Sequence, residues 1–170
     1  MIVRHFLRFI QTASAGERAE AVSALTRAYL HSDMSGDFRE AAEAAMMMLL
    51  DDPSPVVRRA LAEGLASSED APVAIVVALL QDQSEIAALI ARHSPHLFDA
   101  ELVDLVGGGD PLIQFAIAER SDVPVSVAAA IAEVGCLEAC QTLLVRHDVT
   151  VAGFSLARIV DRHGHDALVR

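Results

Sequence analysis

The chain has 170 residues, 53% of them hydrophobic, with no Trp, one Tyr and a formal net charge of −11. A chain of this length buries about 70% of its unfolded surface, enough for a core without disulfides or a structural metal. The negative charge disfavours non-specific binding to nucleic acid or an anionic membrane, and two cysteines, Cys136 and Cys140, are too few for a secreted disulfide framework, which makes a reducing cytoplasm the expected setting.

Alanine supplies much of the apolar fraction, and its small side chain and high helix propensity point to closely packed helices rather than a sheet. Residues 2–12 read as a short amphipathic helix with Ile2, Val3, Phe6, Leu7 and Ile10 on one face. A terminal helix packed on its neighbour explains this better than a membrane-surface helix. Arg4 and Arg8 break the apolar stretch, so it is no signal peptide. The longest apolar run, Ala71 to Leu80, is far short of a membrane span. Glu17 to His31 follows as a helix with Ala21, Val22, Leu25, Ala28 and Tyr29 as its stripe. Asp37 and Glu40 have the spacing of a capping box that opens a helix to about Leu50. Within it Met46, Met47 and Met48 spread over too wide an arc for one narrow stripe. Core packing on both sides of this helix is expected, in preference to an exposed, adaptable methionine.

The best-formed unit is Asp52-Pro-Ser-Pro-Val-Val-Arg-Arg-Ala-Leu-Ala-Glu-Gly-Leu65. Asp52 or Ser54 is suited to cap its N-terminus, and Pro53 or Pro55 to stand at the first helical position. Val56, Val57, Ala60, Leu61, Gly64 and Leu65 form its apolar stripe, with Arg59, Ala62 and Ala66 pointing away. A partner helix runs from Val73 to Leu80; being apolar all round, it calls for neighbours on both sides. Leu79-Leu-Gln-Asp82-Gln-Ser84 then echoes Leu49-Leu-Asp-Asp52-Pro-Ser54 at an offset of 30 residues, the kind of period that marks a solenoid. Ile86, Leu89, Ile90 and His93 form the next stripe. Its partner spans Phe98 to Val106, with Asp99 as N-cap. Further pairs are Leu112 to Arg120 with Asp122 to Gly135, and Cys136 to Arg146 with Val149 to Arg162. Gly164 reads as a helix C-cap, and Val169-Arg170 echoes Val57-Arg58, as if another repeat were starting. The expectation is a single repeat domain over 1–170 that forms the N-terminal part of a longer protein, or whose C-terminal end a partner or second copy covers.

The segment from Asp52 to Leu65 resembles the first helix of a bacterial HEAT-like repeat, D-P-x-P-x-V-R-x-A-x-A-x-x-L, and Gln114-Phe-Ala-Ile-Ala-Glu-Arg-Ser-Asp-Val-Pro124 is similar to the leucine-rich-variant repeats. Over residues 15–170 the chain resembles a family of uncharacterised HEAT-like proteins of alphaproteobacteria. Ala60-Leu-Ala-Glu63, Asp70-Ala-Pro72, Ser94-Pro-His-Leu-Phe-Asp-Ala-Glu-Leu-Val103 and Ala116-Ile-Ala118 carry that resemblance. It implies a fold and no activity.

Candidate chemistry is sparse. Cys136 and Cys140 lie one turn apart with His147 on the same stripe, but Leu143 and Leu144 share it, so buried cysteines acting as small hydrophobes are expected rather than a metal site. His163 and His165, with Asp166, suit a helix end better than a ligand set. Gly107-Gly-Gly-Asp-Pro111 lacks the Gly-Lys-Ser/Thr of a phosphate loop and follows a helix. No Gly-x-Ser-x-Gly elbow is present, and Asp51 and Asp52 have helix-start duties. The one remaining constellation is Arg58, Arg59, Arg92, Arg120 and Arg146. In stacked repeats these would line up as a basic strip that reads carboxylates or phosphates bidentately, or else pair within their own turns, Arg120 with Asp122 and Arg146 with Asp148.

The expected fold is therefore all-α, a right-handed α-α superhelix (a HEAT- or armadillo-like solenoid) of about five helix pairs. The expected function is a non-catalytic protein-binding scaffold or adaptor. It has no cofactor, metal or catalytic residues, and the five arginines are its candidate contact residues. A homo-oligomeric element, with a homodimer through the C-terminal end, is the first alternative. A HEAT-like enzyme acting on nucleic acid is the second, and the acidic charge and few aromatics speak against it.

Overall fold

The computed structural model describes residues 2–33 and 35–169, without the side chains of residues 2–5 and 7. The places expected for Ile2, Val3 and Leu7 on one face, and for Arg170 in a further repeat, lie outside the described residues. Eleven helices and no strand occur among those described. They are α1 (Ile2–Thr12), α2 (Ala15–His31), α3 (Gly36–Leu49), α4 (Pro55–Leu65), α5 (Val73–Leu79), α6 (Ser84–His93), α7 (Asp99–Gly107), α8 (Pro111–Ala118), α9 (Val125–Val134), α10 (Leu137–Val145) and α11 (Gly153–His163).

Helix starts follow the local chemistry, with some shifts from the sequence reading. Ser14 caps α2 in a full capping box with Glu17, whose carboxylate accepts from the Ser14 amide at 2.8 Å. Pro55 opens α4, where its missing N–H costs nothing. Asp110 caps α8 by accepting from the Leu112 amide at 2.9 Å. The expected Asp37–Glu40 box does not start α3; the chain turns into the helix at Ser35, two residues earlier. Likewise Phe98 rather than Asp99 holds the N-cap position of α7, because the Glu101 carboxylate reaches back to the Phe98 amide at 2.8 Å. The last helix starts at Gly153, later than the expected Val149.

The helices gather into two compact units. The first runs to Ile90 and takes in Ser94–His96; the second comprises Ala91–His93 and the chain from Leu97 onward. In the first unit α1 packs on α3 and α2 on α4, so next-but-one helices lie side by side, and sequence neighbours bridge between them. Val22, Tyr29, Met46, Leu61, Ile75 and Ile86 belong to one core cluster. The small residues allow close approach: a Cβ added to Gly64 of α4 would fall within 2.8 Å of Thr26 Cβ on α2. Contact with α2, α3 and α5 widens the covered arc of α4. That is why Ala62 and Ala66, expected to point away, are buried, while Val56 at the helix start is exposed. Neither does α5 meet neighbours all round, since Val73 and Val77, one turn apart, stay exposed. Of the three methionines only Met46 enters the core; Met47 and Met48 are 43% and 60% exposed.

The second unit repeats the arrangement, with α7, α9 and α11 in successive contact and α8 packed on α10. Leu102, Val106, Ile117, Ile131, Leu143 and Ile159 are buried in it. Gln114 is buried as well, and it ties three segments together. Its Nε2 donates to Val106 O at 2.8 Å and Val134 O at 3.3 Å, and its Oε1 accepts from the Cys136 amide at 2.7 Å.

Candidate functional site

The arginines show what the fold does with its positive charge. In the first unit, Arg18 and Arg58 each stand four residues into a helix, α2 and α4 respectively. Arg58 forks onto Asp82, donating from Nε and Nη2 at 2.6 and 3.0 Å, and its Nη1 donates to Asp52 O at 2.6 Å. Arg18 does the same from α2, with both donors 2.8 Å from Asp52 and Nη1 2.9 Å from Ala13 O. Two-donor forks of this kind are the strong form of the charge-assisted hydrogen bond. Burial would raise the Asp52 carboxyl, but the Arg18 fork, the Ser54 amide and the nearby guanidinium charges outweigh it and hold it below the usual carboxylate range. The Arg58 fork depresses Asp82 in the same way against a smaller burial effect.

In the second unit arginines at helix ends reach back to carbonyls instead. Arg120 Nη1 donates to Ala91 O at 2.6 Å, and Arg146 Nη1 to Ala118 O at 2.9 Å. Arg162 donates to Ala132 O at 2.8 Å and Gly135 O at 2.6 Å. Each of these carbonyls lies at or just beyond a helix C-terminus, where unfilled acceptors and the negative end of the dipole favour a cation. Burial pulls the Arg120 guanidinium below its ordinary range, and the Asp122 charge opposes that pull. Arg146 also forks onto Asp148, as the sequence suggested.

Of the five arginines singled out from the sequence, then, Arg58, Arg120 and Arg146 each donate to groups within the fold. Arg59 and Arg92 keep side chains 57% and 43% exposed, with Arg59 against Glu63 and Arg92 against Glu119. Arg18 and Arg162, which complete the two series, were missed. Their signal was position within the helix, four residues after the start or in the last turn, rather than a local motif.

Each unit also has a concavity. In the first unit a groove of about 630 Å³ opens at the C-terminal ends of α3 and α5, lined by Met47, Asp51, Arg58, Gln81, Asp82 and Gln83 among others. In the second unit an apolar cleft of about 330 Å³ lies between α8 and α10, lined by Pro111, Leu112, Phe115, Cys136 and Glu138. Leu112 and Phe115 beside it are 48% and 37% exposed.

The cysteines have packing roles. Cys140 is buried with its Sγ 3.5 Å from Ile131 O, and Cys136 caps α10 with its Sγ 3.7 Å from Pro111 O. Burial pushes both thiols above the usual range. His147 sits exposed after α10, and among the described residues no three His, Cys, Asp or Glu side chains are gathered as for a metal ion. Asp166 accepts from Gln141 Nε2 at 3.0 Å and from the Leu168 amide at 2.9 Å. The Gly107–Gly109 turn follows helix α7; Gly109 alone takes a positive φ there, 79°, and the Asp110 carboxylate already occupies the first free amides of α8 that a phosphate would need.

The model of a family described as "uncharacterised protein conserved in bacteria" (DUF2336) matches residues 86–170. The chain belongs to this family. The DUF2336 match begins within α6 and takes in α7 to α11, so the carbonyl-clamping arginines, Gln114 and the α8–α10 cleft all fall inside it. No curated protein and no solved structure matches the chain. Among the described residues no helix is long and apolar enough to cross a membrane.

Proposed function

We propose that this chain is a non-catalytic protein-binding scaffold of the HEAT-like kind, in which successive helix pairs stack as a right-handed solenoid and one helix of each pair presents the contact surface. The observation that carries the reading is the exposed pair Leu112 and Phe115, three residues apart on α8 beside an apolar cleft. Large apolar side chains bordering a cleft mark interaction sites more often than solvent-facing surface. The arginine clamps support it from the other side. They tie helices to their next-but-one neighbours, such as α10 to α8 and α11 to α9, and a surface that is already ordered loses little entropy on binding. In this reading Arg59 and Arg92 are each exposed contact residues of their own unit, and Arg58, Arg120 and Arg146 hold the helices of their units in place from within the fold. Two free thiols fit a cytoplasmic setting.

Affinity capture with the full-length protein from its native cells tests this. Wild type is expected to enrich a partner that a Leu112→Asp/Phe115→Asp variant with an unchanged melting curve does not. Identical capture profiles for the two would overturn the reading. A homo-oligomeric element is the second reading, favoured by Leu156 and Val160, which stand one turn apart and exposed on α11. Light scattering that returns a dimer mass, lost on Val160→Glu, would select it.

A further inference from the structure

The groove at the ends of α3 and α5 has a chemistry the scaffold reading does not use. Its lining carries one arginine, Arg58, whose charge is paired with Asp82 and whose Nη1 donates to Asp52 O. Two carboxylates, Asp51 and Asp82, face it. Both helices end there without a basic residue in the last turn, so each contributes about half a negative charge with nothing of its own to offset it. Met47, 43% exposed, lines the groove beside this negative end. Exposed methionines are flexible, polarisable apolar surface, the kind used where a binding face adapts to its ligand. A groove of about 630 Å³ is far larger than a metal site needs, and the clamp on Arg58 leaves no cation there for an anionic ligand.

We propose that this groove docks a cationic, amphipathic segment of a protein partner. A lysine or arginine of that segment lies against Asp51 and the two helix ends, and an apolar side chain next to it packs on Met47. A second copy of the chain is a poorer fit, because at a net charge of −11 it brings a like-charged surface. The proposal takes from the scaffold reading only that the ligand is a protein; its residues lie outside the α8–α10 cleft and are tested separately.

The test is fluorescence anisotropy of the full-length protein with three labelled synthetic peptides. One is an amphipathic Leu/Lys helix of about 14 residues, the second has Glu in place of every Lys, and the third has Ser in place of every Leu. The Leu/Lys peptide is expected to bind at least about tenfold more tightly than either of the others. Asp51→Lys and Met47→Ser should each weaken it by about fivefold or more. Asp104→Lys, the same charge change on exposed α7, should leave it unchanged. Circular dichroism confirms that the variants fold, and Asp51→Asn serves as a milder second variant expected to weaken binding in the same direction. Three results would overturn the proposal: equal binding of the Glu peptide; equal losses for Asp104→Lys and Asp51→Lys, which would mean bulk charge attraction; or no binding of the Leu/Lys peptide by wild type. The capture experiment on α8 is independent of all three.

Discussion

Tyr29 is the chain's single tyrosine, and with no tryptophan present its phenol is an isolated optical probe. The ring is buried, its hydroxyl donates to Glu43, and Arg39 lies 4.0 Å from the ring centroid. Burial first, and then the Glu43 carboxylate, push its pKa up to about 12, with Arg39 opposing. A phenol near 10 when unfolded and higher when folded stabilises the native state fully below the lower value. That contribution is lost as pH rises through the upper one. A near-ultraviolet titration should therefore show no tyrosinate until the approach to pH 12. Glu43→Gln should lower the midpoint without bringing it to 10, since burial remains. Gln114 offers a second residue-scale prediction. Gln114→Glu keeps the acceptor for the Cys136 amide but faces a carboxylate toward the carbonyls of Val106 and Val134. Leaving such groups unpaired costs about 1–3 kcal/mol each, so a loss of about 2–4 kcal/mol is expected in urea unfolding. The loss should be smaller at pH 5 than at pH 8, because a protonated carboxyl regains a donor.

At the scale of elements, the contact of α2 with α4 depends on a missing side chain. Gly64→Ala would ordinarily gain about 1 kcal/mol in a helix interior. Here the new methyl meets the stiff, β-branched Thr26, and overpacking of this kind costs about 1–3 kcal/mol. The sum should be a lower melting temperature. Gly16→Ala, on α2 but with nothing near its absent Cβ, should not lower it; Thr26→Ala, which keeps the Cβ 2.8 Å from the new methyl, should rescue Gly64→Ala only in part. These elements were legible in the sequence because an apolar period of 3.6 survives in nearly every helix, and because Asp-Pro and Gly punctuate the starts and turns. Cap identity was less legible. Around α3 and α7 several short polar residues compete, and backbone geometry rather than residue type decides among them, as with Ser35 over Asp37. Exposure was not legible for Met47, Met48, Val73 or Val77, because it depends on which neighbour arrives from elsewhere in the chain. The arginine partners, 24 to 34 residues away, were hidden for the same reason. Only the register of the repeat hinted at them.

Over the whole molecule, the two units use arginine differently, and that difference has a consequence for acid stability. The first unit is clamped through carboxylates, Arg18 to Asp52 and Arg58 to Asp82, both held below the usual carboxylate range. A carboxyl depressed by folding contributes its stability in full above its unfolded pKa, and the contribution disappears as pH falls through the folded one. Arg120 and Arg162 in the second unit bind carbonyls, which do not titrate. The Arg146–Asp148 pair there does titrate, but its carboxylate is exposed at 61% and screened by solvent. From pH 7 down to the isoelectric point near 4.9, falling net charge relieves self-repulsion, so global stability should hold or rise slightly. Below about pH 4 the carboxylate clamps protonate, and the first unit should loosen ahead of the second. Hydrogen exchange read by mass spectrometry across that range should show α2 and α4 losing protection before α8 and α10. Asp82→Asn should shift the loss in α4 to higher pH by weakening the clamp in advance. It should leave the exchange of α8 and α10 where it was. Simultaneous loss in all four helices would mean that the units unfold as one and that the clamps do not set the order.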